Sequence, residues 1–124
     1  MDLTQFQWKN RLLFIFAEDD NHPLFKDLQS QIAAQKAEID DRDLIVFEVP
    51  AHGPARMNTD PLDRKDADSI RNHFAIPSNT FSFILVGKDG GIKLKREDRV
   101  DLSDVFGLID SMPMRQREMQ QKNQ

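Results

Sequence analysis

The stretch Arg11–Phe25, RLLFIFAEDDNHPLF, decides how this chain is read. Leu12 to Ala17 is apolar without alternation. Such a run suits a central strand covered on both faces of a sheet. Glu18, Asp19, Asp20 and Asn21 then supply acceptors where a helix is due to begin, and Pro23 suits its first turn. The spacing of Leu24, Phe25, Leu28, Ile32 and Ile39 predicts a helix running to about residue 38.

Working outward, Leu44 to Val49 reads as a second strand, again nearly continuous in apolar content apart from Glu48. Residues 50–66, PAHGPARMNTDPLDRKD, form the longest irregular stretch, and a loop of that length is usually functional or mobile. Asp63 or Asp66 can cap a helix that carries Ala67, Ile70 and Phe74 and ends before Pro77. Thr80 to Val86 reads as a third strand, with Phe81, Phe83 and Leu85 on one face. Lys88-Asp89-Gly90-Gly91 is a hairpin turn. Ile92 to Lys95 returns as an edge strand, alternating apolar and basic. Asp101 caps a last helix whose stripe is Leu102, Val105, Phe106, Ile109 and Met112. Pro113 ends it or kinks it, and residues 114–124 read as a polar tail, frayed or helical and solvated. Phe6 and Trp8 mark residues 1–10 as an N-terminal arm.

The order β-α-β-α-β-β-α makes an α/β fold with a mixed four-stranded sheet and helices on both faces. At 124 residues one domain is expected, over 1–113. Loops 17–23, 50–66 and 76–81 then meet at one sheet edge, where open α/β sheets favour ligands.

Composition narrows the function. The 17 basic and 21 acidic residues leave a net charge of -4, which argues against phosphate-driven nucleic-acid binding. The chain has no cysteine, which excludes disulfides, thiolate metal sites and thiol nucleophiles together. Nine Phe, one Trp and no Tyr put most of the aromatic bulk in groups without a polar handle, so the Phe residues are expected mostly in the core. No apolar run reaches the ~18–20 residues of a membrane span. The polar start shows no leader, which also fits the mature part of an exported precursor.

FIFAEDDNHPLF resembles the strand-loop-helix of thioredoxins, and FSFILVGKDGGIKL resembles their third strand and hairpin. The set WKNRLLFIFA, FILVGKDGGIKLK and IDSMPMRQREM is similar to a family of small bacterial proteins of unknown function, the DUDES family. That family is related to a domain of vertebrate sushi-repeat extracellular proteins. The resemblance spans most of residues 8–119 and implies a thioredoxin-like or peroxiredoxin-like three-layer sandwich, often exported to the periplasm or beyond. Against the thioredoxin redox loop, Asn21 and Leu24 stand where cysteines would, and Ser82 lies near the position of the cis-proline. Dithiol exchange and thiol peroxidase chemistry are therefore beyond this chain alone.

Asp19, Asp20, Asn21 and His22 form either a helix cap or a ligand-facing cluster. His52 and Arg56 lie in the long loop, and His22, His52 and Asp20 make a chemically possible two-histidine, one-carboxylate set. His73 reads as a helix residue beside Phe74. Ser82 has no GxSxG context, and Gly87, Gly90 and Gly91 match no nucleotide fingerprint. Lys93, Lys95, Arg96 and Arg99, with Arg115 and Arg117, suit edge protection or an acidic partner. The expectation is a non-redox binding or interaction domain with no cofactor and with a protein or small-molecule partner, including a homodimer through the edge strand. The alternative is an enzyme or metal-binding protein using Asp20, His22 and His52.

Overall fold

The computed structural model describes residues 1–122. Its strands are β1 (Arg11–Ala17), β2 (Leu44–Pro50), β3 (Ala55–Met57), β4 (Asp60–Leu62), β5 (Ser82–Val86) and β6 (Ile92–Arg96). Its helices are α1 (Pro23–Ala34), α2 (Lys36–Asp41), α3 (Arg64–His73), α4 (Leu102–Asp110) and α5 (Pro113–Lys122). The sheet order is β4-β3-β2-β1-β5-β6. β1 and β2 are parallel, and every other pair is antiparallel.

The sheet thus has six strands where four were expected. The extra pair comes from residues 50–66, read from sequence as irregular. β3 and β4 are three residues each, too short for alternation to show, and Pro61 sits in the outer one. Asn58 adopts φ 56 at the first loop position, and its Oδ1 accepts the Val46 N–H at 3.0 Å, pinning the hairpin to β2. The first helix also divides, at Gln35 (φ -125, ψ 35), before Ile39 rejoins the core.

Alternation along the strands splits the core into two layers. Leu13, Ile15, Val46, Phe83 and Leu85 pack with Phe25 and Leu28 of α1 and with Leu102, Val105, Phe106 and Ile109 of α4. Leu12, Phe14, Phe16, Phe47, Val49, Ile84 and Val86 pack with Ala67 and Ile70 of α3 and with Leu3 and Phe6 of the N-terminal arm. Phe14 stacks on Phe47 at 4.7 Å, and Phe6 meets Phe47 edge-on at 6.0 Å. The arm is docked at its other end too: Gln7 Nε2 donates to Asp89 O at 2.9 Å.

Residues 114–122 take the helical one of the two expected forms, but Arg115 is buried rather than solvated. α5 is held against the amino-terminal pole of the sheet by buried cations. Arg11, 2% exposed, donates through both terminal nitrogens to Glu118 at 3.0 Å. Lys88 Nζ donates to Glu118 and Asp43 at 2.9 Å. Arg115, grouped from sequence with a basic surface, is 2% exposed and donates to Asp110 and Asp41. Arg42 joins Asp110 and lies 4.6 Å over the Phe106 ring. Bidentate, partly buried pairs of this kind are costly to break from one side.

Burial works to raise the Glu118 carboxyl, but hydrogen bonds from Arg11 and Lys88 outweigh it and hold it below its ordinary value. Hydrogen bonds from Lys122 and Arg115 lower Asp41 to about 2. A folded-state value below the unfolded one stabilises fully above the unfolded pKa, about 4. That stability is lost as pH falls through the folded value. The thermal midpoint is therefore expected to fall steeply as pH drops below about 4. Glu118→Gln should cost about 2 kcal/mol at neutral pH and flatten that acid limb. Calorimetry between neutral and acid pH checks both.

Candidate functional site

The carboxyl ends of β1 and β2 meet the loops before α1, after β2 and before β5. Their carbonyls are not free. Arg71 of α3 is 6% exposed and points into this junction. It donates to Val49 O at 2.8 Å, Ala17 O at 3.3 Å and Pro77 O at 2.8 Å. Arg64 donates to Pro50 O at 3.0 Å and Gly53 O at 3.2 Å. Burial, and then the charge of Arg64, pull the Arg71 guanidinium below its ordinary value, while Asp68 opposes them. Two backbone bonds, Ala51 N–H to Ala17 O and His52 N–H to Glu18 O, both 2.9 Å, extend the parallel ladder past the strands.

The acids before α1 do not cap it. His22 does: its Nδ1 accepts the Leu24 N–H at 3.2 Å. That bond leaves Nδ1 without a proton and Nε2 as the other ring nitrogen. The ring stacks on Phe81 at 5.4 Å. Asp19 Oδ1 accepts the Asn21 N–H at 2.9 Å and closes a local turn instead. Leu24 is half-buried against the core, whereas Asn21 and His52 are exposed. Among the described residues no three His, Asp or Glu side chains gather at metal-binding distance, so His22, His52 and Asp20 are not assembled as a set. Ser82 is fully buried at the start of β5, on the face of Ile84 and Val86, and its Oγ has no hydrogen-bond partner among the described residues. All peptide bonds among those residues are trans, including the bond before Pro77.

Arg56 lies elsewhere. It stands on β3 in register with Glu48 of β2. Both line a groove of about 720 Å³ between α1, α2 and the β3–β4 hairpin. Glu48 was passed over in the sequence reading, although an acid between Phe47 and Val49 in a buried strand was the visible signal. Gln29 of α1 donates to its Oε1 at 2.6 Å. A second groove of about 470 Å³ lies on the other sheet face, between the N-terminal arm, the end of α3 and β6. Phe6, Phe74, Ile84, Val86 and Ile92 line it.

Comparison with known proteins now places the chain. The model of a family described as a domain of unknown function (DUF4174) matches residues 2–118. The chain belongs to that family. It is 27% identical over 133 residues to the coiled-coil domain-containing protein 80 of Danio rerio, covering 94% of this chain but only 15% of that relative. Among solved structures it is similar to the reduced 2-Cys peroxiredoxin of Plasmodium vivax, with a TM-score of 0.71 at 13% identity over 94% of this chain and 85% of the other. It is also similar to thioredoxin peroxidase I of Plasmodium yoelii, with a TM-score of 0.67 at 14% identity over 94% and 80%. The fold is thioredoxin-like, as the strand order and hairpin led us to expect. The 2-Cys peroxidase chemistry for which those proteins are named needs thiols, and this chain has none.

A capping role for His22 makes a specific prediction. His22→Ala should cost about 1 kcal/mol, and His22→Ser, which restores an acceptor, should recover most of it. Zinc or manganese should leave the thermal midpoint of the parent and both variants unchanged. A metal-dependent midpoint abolished by either substitution would assign His22 to a ligand site instead.

Proposed function

We propose that this family member is a non-redox interaction domain that receives an extended, acidic segment of a partner protein along β6. The observation behind it is the contrast between the two sheet edges. β4 is three residues long and carries Pro61, so it offers little backbone to a newcomer. β6 is five residues long, contains no proline and is exposed along most of its length. An unpaired strand edge is a template for strand addition.

Charge supports an acidic partner over a second copy. Lys95 and Arg96 are exposed on β6, whereas Lys93 is shared with Asp89, Arg99 with Asp27, and the exposed acids Glu97 and Asp98 lie just past the strand. Pairing β6 with itself sets cations opposite cations, which is unfavourable. The apolar groove beside β6, with Ile92 55% exposed at its rim, would take one side chain of the incoming strand. The loops at the carboxyl edge, including Asp19, Asp20, Asn21 and His22, serve the scaffold in this reading. A bacterial origin and export from the cytoplasm belong to the same proposal and are supported by the family resemblance alone.

The test is an amide-shift titration with a peptide alternating threonine and glutamate. Shifts should concentrate at residues 92–96, and Lys95→Glu should weaken binding at least about tenfold. Raising the salt should weaken it as well. Shifts at 18–22 and 52, no shifts at all, or a dimer through β6 in light scattering would contradict the proposal.

A further inference from the structure

We propose that the groove between α1, α2 and the β3–β4 hairpin is a second binding site, for a small zwitterion: an α-amino acid with an aliphatic side chain. The inference is independent of β6, since this groove lies on the opposite face of the sheet and toward its other edge.

The argument starts from Glu48. β2 is an interior strand, flanked by β1 and β3. A carboxylate there loses most of its hydration, which is costly unless partners replace it. Glu48 is only 9% exposed, and among the described residues its side chain accepts one hydrogen bond, from Gln29 to Oε1. Oε2 receives no donor among the described residues, although a carboxylate accepts at about four positions. Glu48 lines the groove, and that oxygen keeps some exposure to solvent. It is a ready acceptor for an ammonium group.

Arg56 supplies the opposite charge. It is the register partner of Glu48, and directly opposed residues on antiparallel strands place their Cβ atoms about 5 Å apart. Yet no Arg56 nitrogen comes within the 4.0 Å of an ion pair with Glu48. Arg56 makes no side-chain hydrogen bond to any described residue. Two opposite charges line one groove side by side without a direct ion pair between them. A ligand with an ammonium and a carboxylate on one carbon satisfies both, the ammonium on Glu48 and the carboxylate on Arg56.

The rest of the groove fits the third substituent. Ile32, Ile39 and Val46 line it with aliphatic surface. Its volume lies within the range of about 300–1,000 Å³ usual for small-molecule sites. Lys36, Asp40 and Asp60 also line the groove, so both signs of charge face it. A lining that carries both signs suits a zwitterion better than a net anion. One buried carboxylate with an amide neighbour is not a metal set, in keeping with the lack of any such cluster among the described residues.

The experiment uses leucine as the probe, with 4-methylpentanoic acid lacking the amine and 3-methylbutylamine lacking the carboxylate. Leucine should give saturable amide shifts at Gln29, Glu48 and Arg56, and each analogue should bind at least about tenfold more weakly. Glu48→Gln keeps the side-chain volume and a hydrogen-bond partner for Gln29, and should abolish leucine binding with the thermal midpoint retained. Arg56 is exposed, so Arg56→Ala carries little folding risk. In that variant leucine and 3-methylbutylamine should bind equally. No saturable shift with leucine, equal binding of all three probes to the parent, or binding unaffected by both substitutions would overturn the proposal. Shifts confined to residues 92–96 would overturn it as well, while leaving the β6 reading intact.

Discussion

The guanidinium of Arg71 joins three parts of the chain that are far apart in sequence. It bonds carbonyls at the ends of both parallel strands, Ala17 O closing β1 and Val49 O one residue before the end of β2, and the carbonyl of Pro77 before β5. In an open α/β sheet those carbonyl ends border the usual ligand crevice. Here a side chain from the chain's own α3 fills it, lying 5.7 Å over the Phe16 ring. A buried cation without a carboxylate partner is stable only where several acceptors replace water, and three carbonyls do so. The same bonds tie the three segments of the junction together.

This arrangement explains why a thioredoxin-like scaffold without cysteine keeps the architecture of the edge. The loops are tied to one another for structural reasons. His22 caps α1, Asp19 closes the turn before it, and His52 extends the ladder through its backbone. At the opposite pole Arg11, Arg42, Arg115 and Lys88 do the corresponding work, fastening α4 and α5 to the ends of the strands. With both poles sealed by arginine, the open features lie along the sheet's flanks. They are the free edge of β6 and the groove over Glu48.

Much of this was legible in the residues. The apolar runs of β1 and β2, the Asp63 and Asp101 caps, the alternation of β5 and the turn at Gly90 all follow local rules, and the structure contains each. Three things were not legible, for physical reasons. The β3–β4 pair is too short to carry a period and is recognisable only from its pairing with β2. The α1 cap depends on which of several neighbouring acceptors reaches an N–H, and that is a matter of loop geometry. Arg71 and Arg115 sit in polar helices whose composition reads as solvent-facing, and what buries them is backbone and carboxylate from distant segments. Glu48 is intermediate: its presence in β2 was visible, but Gln29 and Arg56 come to it from other elements.

Hydrogen exchange on Arg71→Lys addresses the closed edge directly. Lysine keeps the charge but lacks the planar fork that reaches three carbonyls at once. The account predicts that amides at 17–22, 49–53 and 77–81 lose protection together, while those of β5, β6 and α5 keep theirs. Loosening confined to α3, with the three loop segments as protected as in the parent, would contradict it.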